Sequence, residues 1–136
     1  MNHPDVQIVN RHLLIDGKEV IAAPYGVDTF IWIDDEKLAL VLWTRDFEYI
    51  LNGNRISGNK NDRGRNVICI NTRGEVQWIM ENHMDNPYRS NGGSPVSKIE
   101  MTDAGYWPGN IVGWNGDHCM VIDKNTGKLL YIDFTK

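Results

Sequence analysis

The amino-acid sequence predicts an all-β fold of consecutive antiparallel hairpins, and three observations lead to this prediction. Asn occurs 14 times and Gly 13 times in 136 residues, and both residues tolerate the positive φ angles of tight turns. Five Trp, five Tyr and three Phe accompany many β-branched residues, which is a composition typical of strands. The apolar segments are short, and none has an amphipathic helical stripe. We expect a single domain over residues 1–136 with ten or eleven strands.

The first part of the chain opens with a clear hairpin signal. Asp16-Gly17 lies between two apolar runs, and a type I′ turn favours this pair because it needs positive φ twice. An acidic turn over residues 34–37 then separates two further apolar runs. Four strands are expected here, at residues 13–15, 18–22, 29–33 and 38–43. Their succession predicts one compact antiparallel meander.

The rest of the chain alternates in the same way between apolar runs and turns. Seven strands are expected, at residues 47–51, 67–70, 75–80, 96–101, 111–114, 118–122 and 128–134. Turn residues separate most of them, at Asn52-Gly53, Asn71 to Gly74, Asn115-Gly116 and Asp123 to Gly127. The polar stretches 57–66 and 82–95 are predicted to be long loops.

Two of these hairpins look like copies of one another. Residues 67–78 match residues 119–131, so that Asn71 falls on Asp123, Gly74 on Gly127 and Trp78 on Tyr131. We expect the Asn or Asp side chain to close the turn on its own backbone and Gly to supply the positive φ. The aromatic residue is expected to pack on the next sheet.

This pattern, apolar-x-apolar-Asp/Asn-x-x-Thr-Gly-Lys/Glu-apolar-x-Trp/Tyr, resembles the blade hairpin of pyrroloquinoline-quinone-type and related β-propellers. The resemblance implies a strand–turn–strand unit and no particular chemistry. A complete propeller needs at least about four blades of roughly 40 residues, so the resemblance implies a partial propeller of about three blades. A β-sandwich of the same hairpins and a fragment of a longer protein are the alternatives. A freestanding three-blade unit would leave sheet edges and an apolar flank to cover, which favours a homodimer through those edges or a protein partner.

Charge excludes several classes of partner. Fourteen Lys+Arg against eighteen Asp+Glu give a formal net charge of -4 and a pI of about 5.5. Nucleic acid and anionic membranes require a cationic surface, so neither is expected as a partner. The N-terminus shows no secretory signal pattern, and Cys69 and Cys119 lie in apolar runs. We therefore expect a cytoplasmic protein with core cysteines and no disulfide.

The sequence contains no recognisable catalytic constellation. The four histidines lack metal-ligand spacing, and the glycines form no phosphate-cradling loop before a helix. Asp117-His118 and the cluster from Glu81 to Asp85 are the best acid–base candidates. Adjacent strand residues point to opposite faces, so we expect Asp117 and His118 to be one turn residue and one strand residue. We expect the cluster from Glu81 to Asp85 to be a solvated loop. We expect no enzyme, no cofactor and no metal site.

Two exposed features point to protein binding instead. One is the acidic turn Asp34-Asp35-Glu36, and the other is the aromatic pair Tyr106-Trp107 in a turn region. In size, acidity and turn-rich β composition the chain is similar to immunity proteins of bacterial competition systems, such as contact-dependent growth inhibition or type VI secretion. That resemblance implies a cognate toxin domain, expected to be basic and of nuclease type, whose active site the chain covers. The residues expected to contact the toxin are Asp34, Asp35, Glu36, Glu81, Asp85, Asp103, Tyr106 and Trp107.

A second hypothesis belongs to a different functional class. The chain could be a carbohydrate-binding or small-ligand-binding module, or a propeller-type scaffold protein. Trp32, Trp43 or Trp114 in an open groove would then form the ligand site. Tryptophan fluorescence titration against glycans separates this hypothesis from toxin binding.

Overall fold

A computed structural model describes residues 4–22, 26–42, 48–51, 54–57, 66–81, 96–102, 108–114 and 118–134. These residues form thirteen strands and no helix. The strands are β1 (Val6–Val9), β2 (His12–Ile15), β3 (Lys18–Ala22), β4 (Val27–Trp32), β5 (Lys37–Leu42), β6 (Glu48–Leu51), β7 (Asn54–Ser57), β8 (Val67–Asn71), β9 (Val76–Ile79), β10 (Lys98–Thr102), β11 (Asn110–Trp114), β12 (His118–Ile122) and β13 (Leu129–Phe134). The prediction of an all-β fold is confirmed.

The strands form three antiparallel sheets. The first sheet has the order β1-β2-β3-β6-β7, the middle sheet β4-β5-β8-β9 and the third sheet β10-β11-β12-β13. Three antiparallel sheets are compatible with both predicted architectures, the partial propeller and the sandwich. The predicted turns Asn52-Gly53 and Asn115-Gly116, the loop 82–95 and most of the loop 57–66 lie outside the described residues.

The middle sheet lies between the other two, and strand β5 shows why. Leu38, Leu40 and Leu42 belong to the core shared with the first sheet, whereas Ala39 and Val41 belong to the core shared with the third. All five side chains are buried. Successive strand residues point to opposite faces, so an uninterrupted apolar strand needs a sheet on each side.

The expected four-strand meander is wrong. Strand β3 pairs with β6, with Ile21 opposite Leu51, while β4 and β5 belong to the middle sheet. The chain therefore changes sheets between β3 and β4, and the hairpin β6–β7 returns to extend the first sheet. The physical reason is that β5 is buried on both faces. The β2–β3 hairpin must therefore cover one of these faces as a separate sheet, so it cannot pair with β4 in the same sheet.

Strand β1 was not predicted from the sequence. It pairs with β2 through a turn at Asn10 and Arg11, whose φ angles are 51° and 68°. Asn10 is the signal that could have revealed this turn, because Asn tolerates the left-handed region better than most residues.

The two copied hairpins close their turns as expected. The Asn71 Oδ1 accepts hydrogen bonds from the main-chain N–H groups of residues 73 and 75, both at 2.9 Å. The Asp123 Oδ1 accepts from those of residues 125 and 126, at 2.7 and 3.1 Å. Gly74 and Gly127 have φ angles of 82° and 77°. The predicted roles of the Asn/Asp and Gly positions are confirmed.

Trp78 makes the contact predicted for the aromatic position of the repeat. Its side chain is 7% exposed and belongs to the core between the middle and third sheets. The indole Nε1–H donates to the Lys124 carbonyl oxygen at 2.8 Å, and the ring lies against Gly127. At the matching position, Tyr131 is 48% exposed, so there the prediction is wrong. The third sheet is the last layer of the described stack.

Asn66 links the middle and third sheets through a buried polar group. Its side chain is 1% exposed, and its Nδ2 donates to the carbonyl oxygens of Leu42 and Val96 at 3.2 and 2.7 Å. Its Oδ1 accepts from the Val96 N–H at 2.9 Å. These bonds satisfy main-chain groups that are otherwise costly to bury.

Candidate functional site

The predicted acidic turn connects β4 to β5 and is held by its own first carboxylate. The Asp34 Oδ1 accepts hydrogen bonds from the N–H groups of Glu36 and Lys37 at 2.8 and 2.9 Å. The Ile33 N–H donates to the Lys37 carbonyl oxygen at 2.9 Å and closes the loop. Asp34, Asp35 and Glu36 are all exposed. The turn thus presents three carboxylates on a locally defined backbone.

A second turn, which connects β8 to β9, lies beside the first. The Thr72 N–H donates to the Glu36 carbonyl oxygen at 3.1 Å, and the adjacent strands pair Lys37 with Asn71. This second turn contributes Arg73 and Glu75, which form an exposed salt bridge at 2.9 Å. We call Asp34, Asp35, Glu36, Arg73 and Glu75 together the acidic surface.

The neighbours of the Glu75 carboxylate favour its ionised form. A hydrogen bond from the Asn71 side chain, followed by the hydrogen bond and charge of Arg73, holds the pKa of the Glu75 carboxyl below its ordinary value. The acidic surface therefore combines four carboxylates with one guanidinium, and Lys37 follows its first turn at the start of β5. This excess of negative charge attracts cationic groups, and the attraction weakens as salt is added.

Sequence reasoning missed Arg73 and Glu75. The sequence showed the turn from Asn71 to Gly74, but it gave no register between β5 and β8, which are separated by the β6–β7 hairpin and a long polar stretch. Only the pairing of these two strands places the turns side by side. Finding these residues from the sequence would have required a signal that β5 and β8 pair, which places both turns at one end of the sheet.

Glu81 does not join the acidic surface. It follows β9, at the opposite end of that strand from Glu75, roughly 20 Å away at the usual strand rise. Its N–H donates to the Gly127 carbonyl oxygen at 2.8 Å, and its Oε1 accepts from the Leu129 N–H at 2.9 Å. Glu81 therefore connects the middle and third sheets. Asp85, Asp103, Tyr106 and Trp107 lie outside the described residues and stay predictions.

The tryptophans considered for ligand binding differ in their surroundings. Trp32 is partly buried against the core between the first and middle sheets, with its ring edge-to-face with Phe30 at 6.4 Å. Trp114 is partly exposed on β11, and the Lys98 Nζ lies 5.2 Å from its ring centroid. Trp43 lies outside the described residues.

Within the described ranges, the titratable side chains form no group of three or more His, Cys, Asp and Glu placed to hold a metal ion. His12 contacts the Glu19 carboxylate on the first sheet. Neither Cys69 nor Cys119 forms a disulfide. Cys69 is buried, and this burial raises the pKa of its thiol to about 12, whereas Cys119 is only partly buried.

Comparison of the chain with protein-family models, with curated proteins and with solved structures finds no match. In the part of the chain that the structure describes, no helix is long and apolar enough to cross a membrane.

Proposed function

We propose that this chain is an immunity protein, which binds a basic, nuclease-type toxin domain in the cytoplasm and neutralises it by covering its active site. The proposal makes the chain a binding protein and assigns it no catalysis. The acidic surface is the observation that carries the proposal. Its five residues come from two turns that the β5–β8 pairing holds at one end of the middle sheet.

The chemistry of a nuclease explains why this surface would fit. A nuclease must attract a phosphate backbone, so its substrate-binding face carries Lys and Arg. An inhibitor that covers that face needs carboxylates in a matching position. Such charges accelerate association by about 10- to 1000-fold and disfavour partners of the wrong charge.

The geometry of the turns supports the same interpretation. The Asp34 carboxylate holds the backbone of the turn, so Asp35 and Glu36 lie on a preorganised turn. Preorganised groups lose less conformational entropy on binding than mobile ones. Tyr106 and Trp107 are the proposed apolar anchors, because aromatic residues dominate the energy of many interfaces.

Neutralising two charges without disturbing the turn tests the proposal. The variant Asp35→Asn/Glu36→Gln leaves the Asp34 hydrogen bonds in place, and the matched control Asp5→Asn/Asp28→Asn removes two exposed carboxylates elsewhere. The probe is a basic nuclease-type toxin domain encoded beside this chain, with rapid-mixing association rates measured at several salt concentrations. We expect the association rate to fall about tenfold with a shallower salt dependence, while the control is unchanged.

Two outcomes would contradict the proposal. Equal rates for the test and control variants would remove the acidic surface from the interface. Failure of the unmodified chain to inhibit the nuclease would refute the immunity function itself.

The partial exposure of Trp114 beside Lys98 favours the second candidate function, a carbohydrate-binding or small-ligand-binding module. Sugar rings stack on exposed indole faces, and a neighbouring cation adds a polar contact. A saturable change in tryptophan fluorescence on addition of a glycan, abolished in Trp114→Ala, would establish this function in place of toxin binding.

A further inference from the structure

The stack of sheets leaves two faces that the described residues do not cover, one at each end. On the third sheet, the register places Glu100, Val112, Val121 and Tyr131 in one row across the outer face. Lys98, Trp114 and Cys119 form the neighbouring row. We call this the third-sheet end face. It is mostly apolar; Tyr131 is 48% exposed, whereas Val121 in the same row is 6% exposed.

The outer face of the first sheet is the second uncovered face. The strand register places Gln7, Leu14 and Glu19 in one row across this face. In the neighbouring row, Val9 lies opposite His12. We call this the first-sheet end face. Val9 is 47% exposed, and the face carries the exposed Glu19 carboxylate beside His12. The two most exposed large apolar side chains among the described residues, Val9 and Tyr131, thus lie at opposite ends of the stack.

The contact between the middle and third sheets shows how a further sheet would dock. Trp78 covers the Gly127 turn of the following sheet and donates a hydrogen bond to it. Tyr131 holds the matching position of the repeat in the third sheet. Tyrosine also combines an apolar ring with a polar donor, so Tyr131 is equipped for the same contact with a fourth sheet.

The sheets also converge on one side. Strand β4 at the edge of the middle sheet contacts β1 at the edge of the first sheet and β10 at the edge of the third. The leading strands of the three sheets therefore lie together. A stack of three sheets has two unlike end faces, and a second stack placed head to tail covers both.

We propose that two copies of this chain pack head to tail, with the third-sheet end face of each against the first-sheet end face of the other. An interface between unlike faces forms a closed ring when its rotation completes a circle. Two copies give six sheets, which falls within the about four to eight of closed propeller rings. The third-sheet end face carries Lys98 and Glu100 and the first-sheet end face carries Glu19, so Lys98 of one copy can pair with Glu19 of the other. Each dimer contains this interface twice.

Single charges placed on each end face test the proposal. Sedimentation equilibrium of the purified full chain should give twice the 15.6 kDa mass of one chain. Val9→Glu and Tyr131→Glu should each raise the dimer dissociation constant at least about 100-fold, because each buries an unpaired charge in both interfaces. The matched control is Val76→Glu, since Val76 is 38% exposed but lies in the middle sheet. It should leave the mass unchanged.

Mixing the two variants separates head-to-tail packing from other arrangements. A dimer of one Val9→Glu copy and one Tyr131→Glu copy has one undamaged interface, so the mixture should associate at least about tenfold more tightly than either variant alone. An unfolded variant cannot give this result. If circular dichroism shows loss of β structure in either glutamate variant, Val9→Thr and Tyr131→Thr replace them, because Thr favours strands.

Three results would overturn the proposal. The first is a one-chain mass at all concentrations, and the second is a mass that grows without limit. The third is dissociation by Tyr131→Glu with Val9→Glu still dimeric, because that result indicates third sheets packed face to face.

Discussion

Replacing Gly127 by Ala is expected to destabilise the protein through a specific collision with Trp78. Gly127 has a φ angle of +77°, and an added Cβ would lie 2.6 Å from Trp78 Cε3 and 3.0 Å from the Ile79 carbonyl oxygen. Gly17 provides the matched control. Its φ angle is +79°, and an added Cβ there meets no atom within 4 Å. Both substitutions introduce the same backbone strain, but only Gly127→Ala also brings the added Cβ into collision with neighbouring atoms.

The magnitudes follow from these two contributions. A left-handed residue that carries a Cβ costs about 1–2 kcal/mol, and this cost applies at both positions. Overpacking of a buried contact costs about 1–3 kcal/mol more, and it applies only at Gly127. We therefore expect Gly17→Ala to lower the free energy of unfolding by about 1–2 kcal/mol and Gly127→Ala by about 2–5 kcal/mol.

Guanidinium unfolding followed by circular dichroism measures both free energies by linear extrapolation. In the background Trp78→Ala the collision with the indole ring is removed and only the 3.0 Å approach to the Ile79 carbonyl oxygen remains, so Gly127→Ala should then cost clearly less than in the unmodified background. Equal losses for the two glycine variants in the unmodified background would refute the packing of Trp78 on the turn of the third sheet.

Three further outcomes are expected. Asn66→Leu should lower the free energy of unfolding by about 2–4 kcal/mol in the same unfolding assay, because it leaves buried main-chain groups without their hydrogen bonds; a loss below about 1 kcal/mol would contradict this role. In thiol labelling at pH 8, Cys69 should react far more slowly than Cys119, because burial raises the pKa of its thiol to about 12; equal rates in the folded protein would contradict its burial. The Glu75 carboxyl should titrate below its ordinary pKa in NMR, and Asn71→Ala should raise that pKa, because Asn71 is the largest cause of the lowering. Because the folded-state pKa of Glu75 is lowered, its contribution to stability is present above the unfolded-state pKa and declines as the pH falls through the folded-state pKa.

The local features of the fold were predictable because they depend on a few neighbouring residues. The Asp16-Gly17 turn has φ angles of 50° and 79°, as its sequence predicts. The closure of the turns by Asn71 and Asp123 follows equally from a side chain that bonds its own backbone. The Asn10-Arg11 turn escaped prediction because Arg is not a residue that marks a left-handed position.

The candidate site was predictable only in part. The exposure of Asp34, Asp35 and Glu36 follows from their turn chemistry, so their exposure was predictable from the sequence. Their association with Glu75, and the separation of Glu81 from them, depend on which strands pair. Strand pairing is non-local, and no turn residue encodes it.

The sequence by itself determined most of the hairpins of this protein, because φ preferences and side-chain alternation act within a few residues. The tertiary structure alone decided how the hairpins are distributed among sheets. Strand β3 could pair with β4 or with β6, and local propensity does not distinguish these choices. The burial of β5 on both faces decides between them, since Leu38 and Ala39 each need a sheet to cover them. The same layering covers Trp78 and exposes Tyr131, although the two residues hold one position of the repeat.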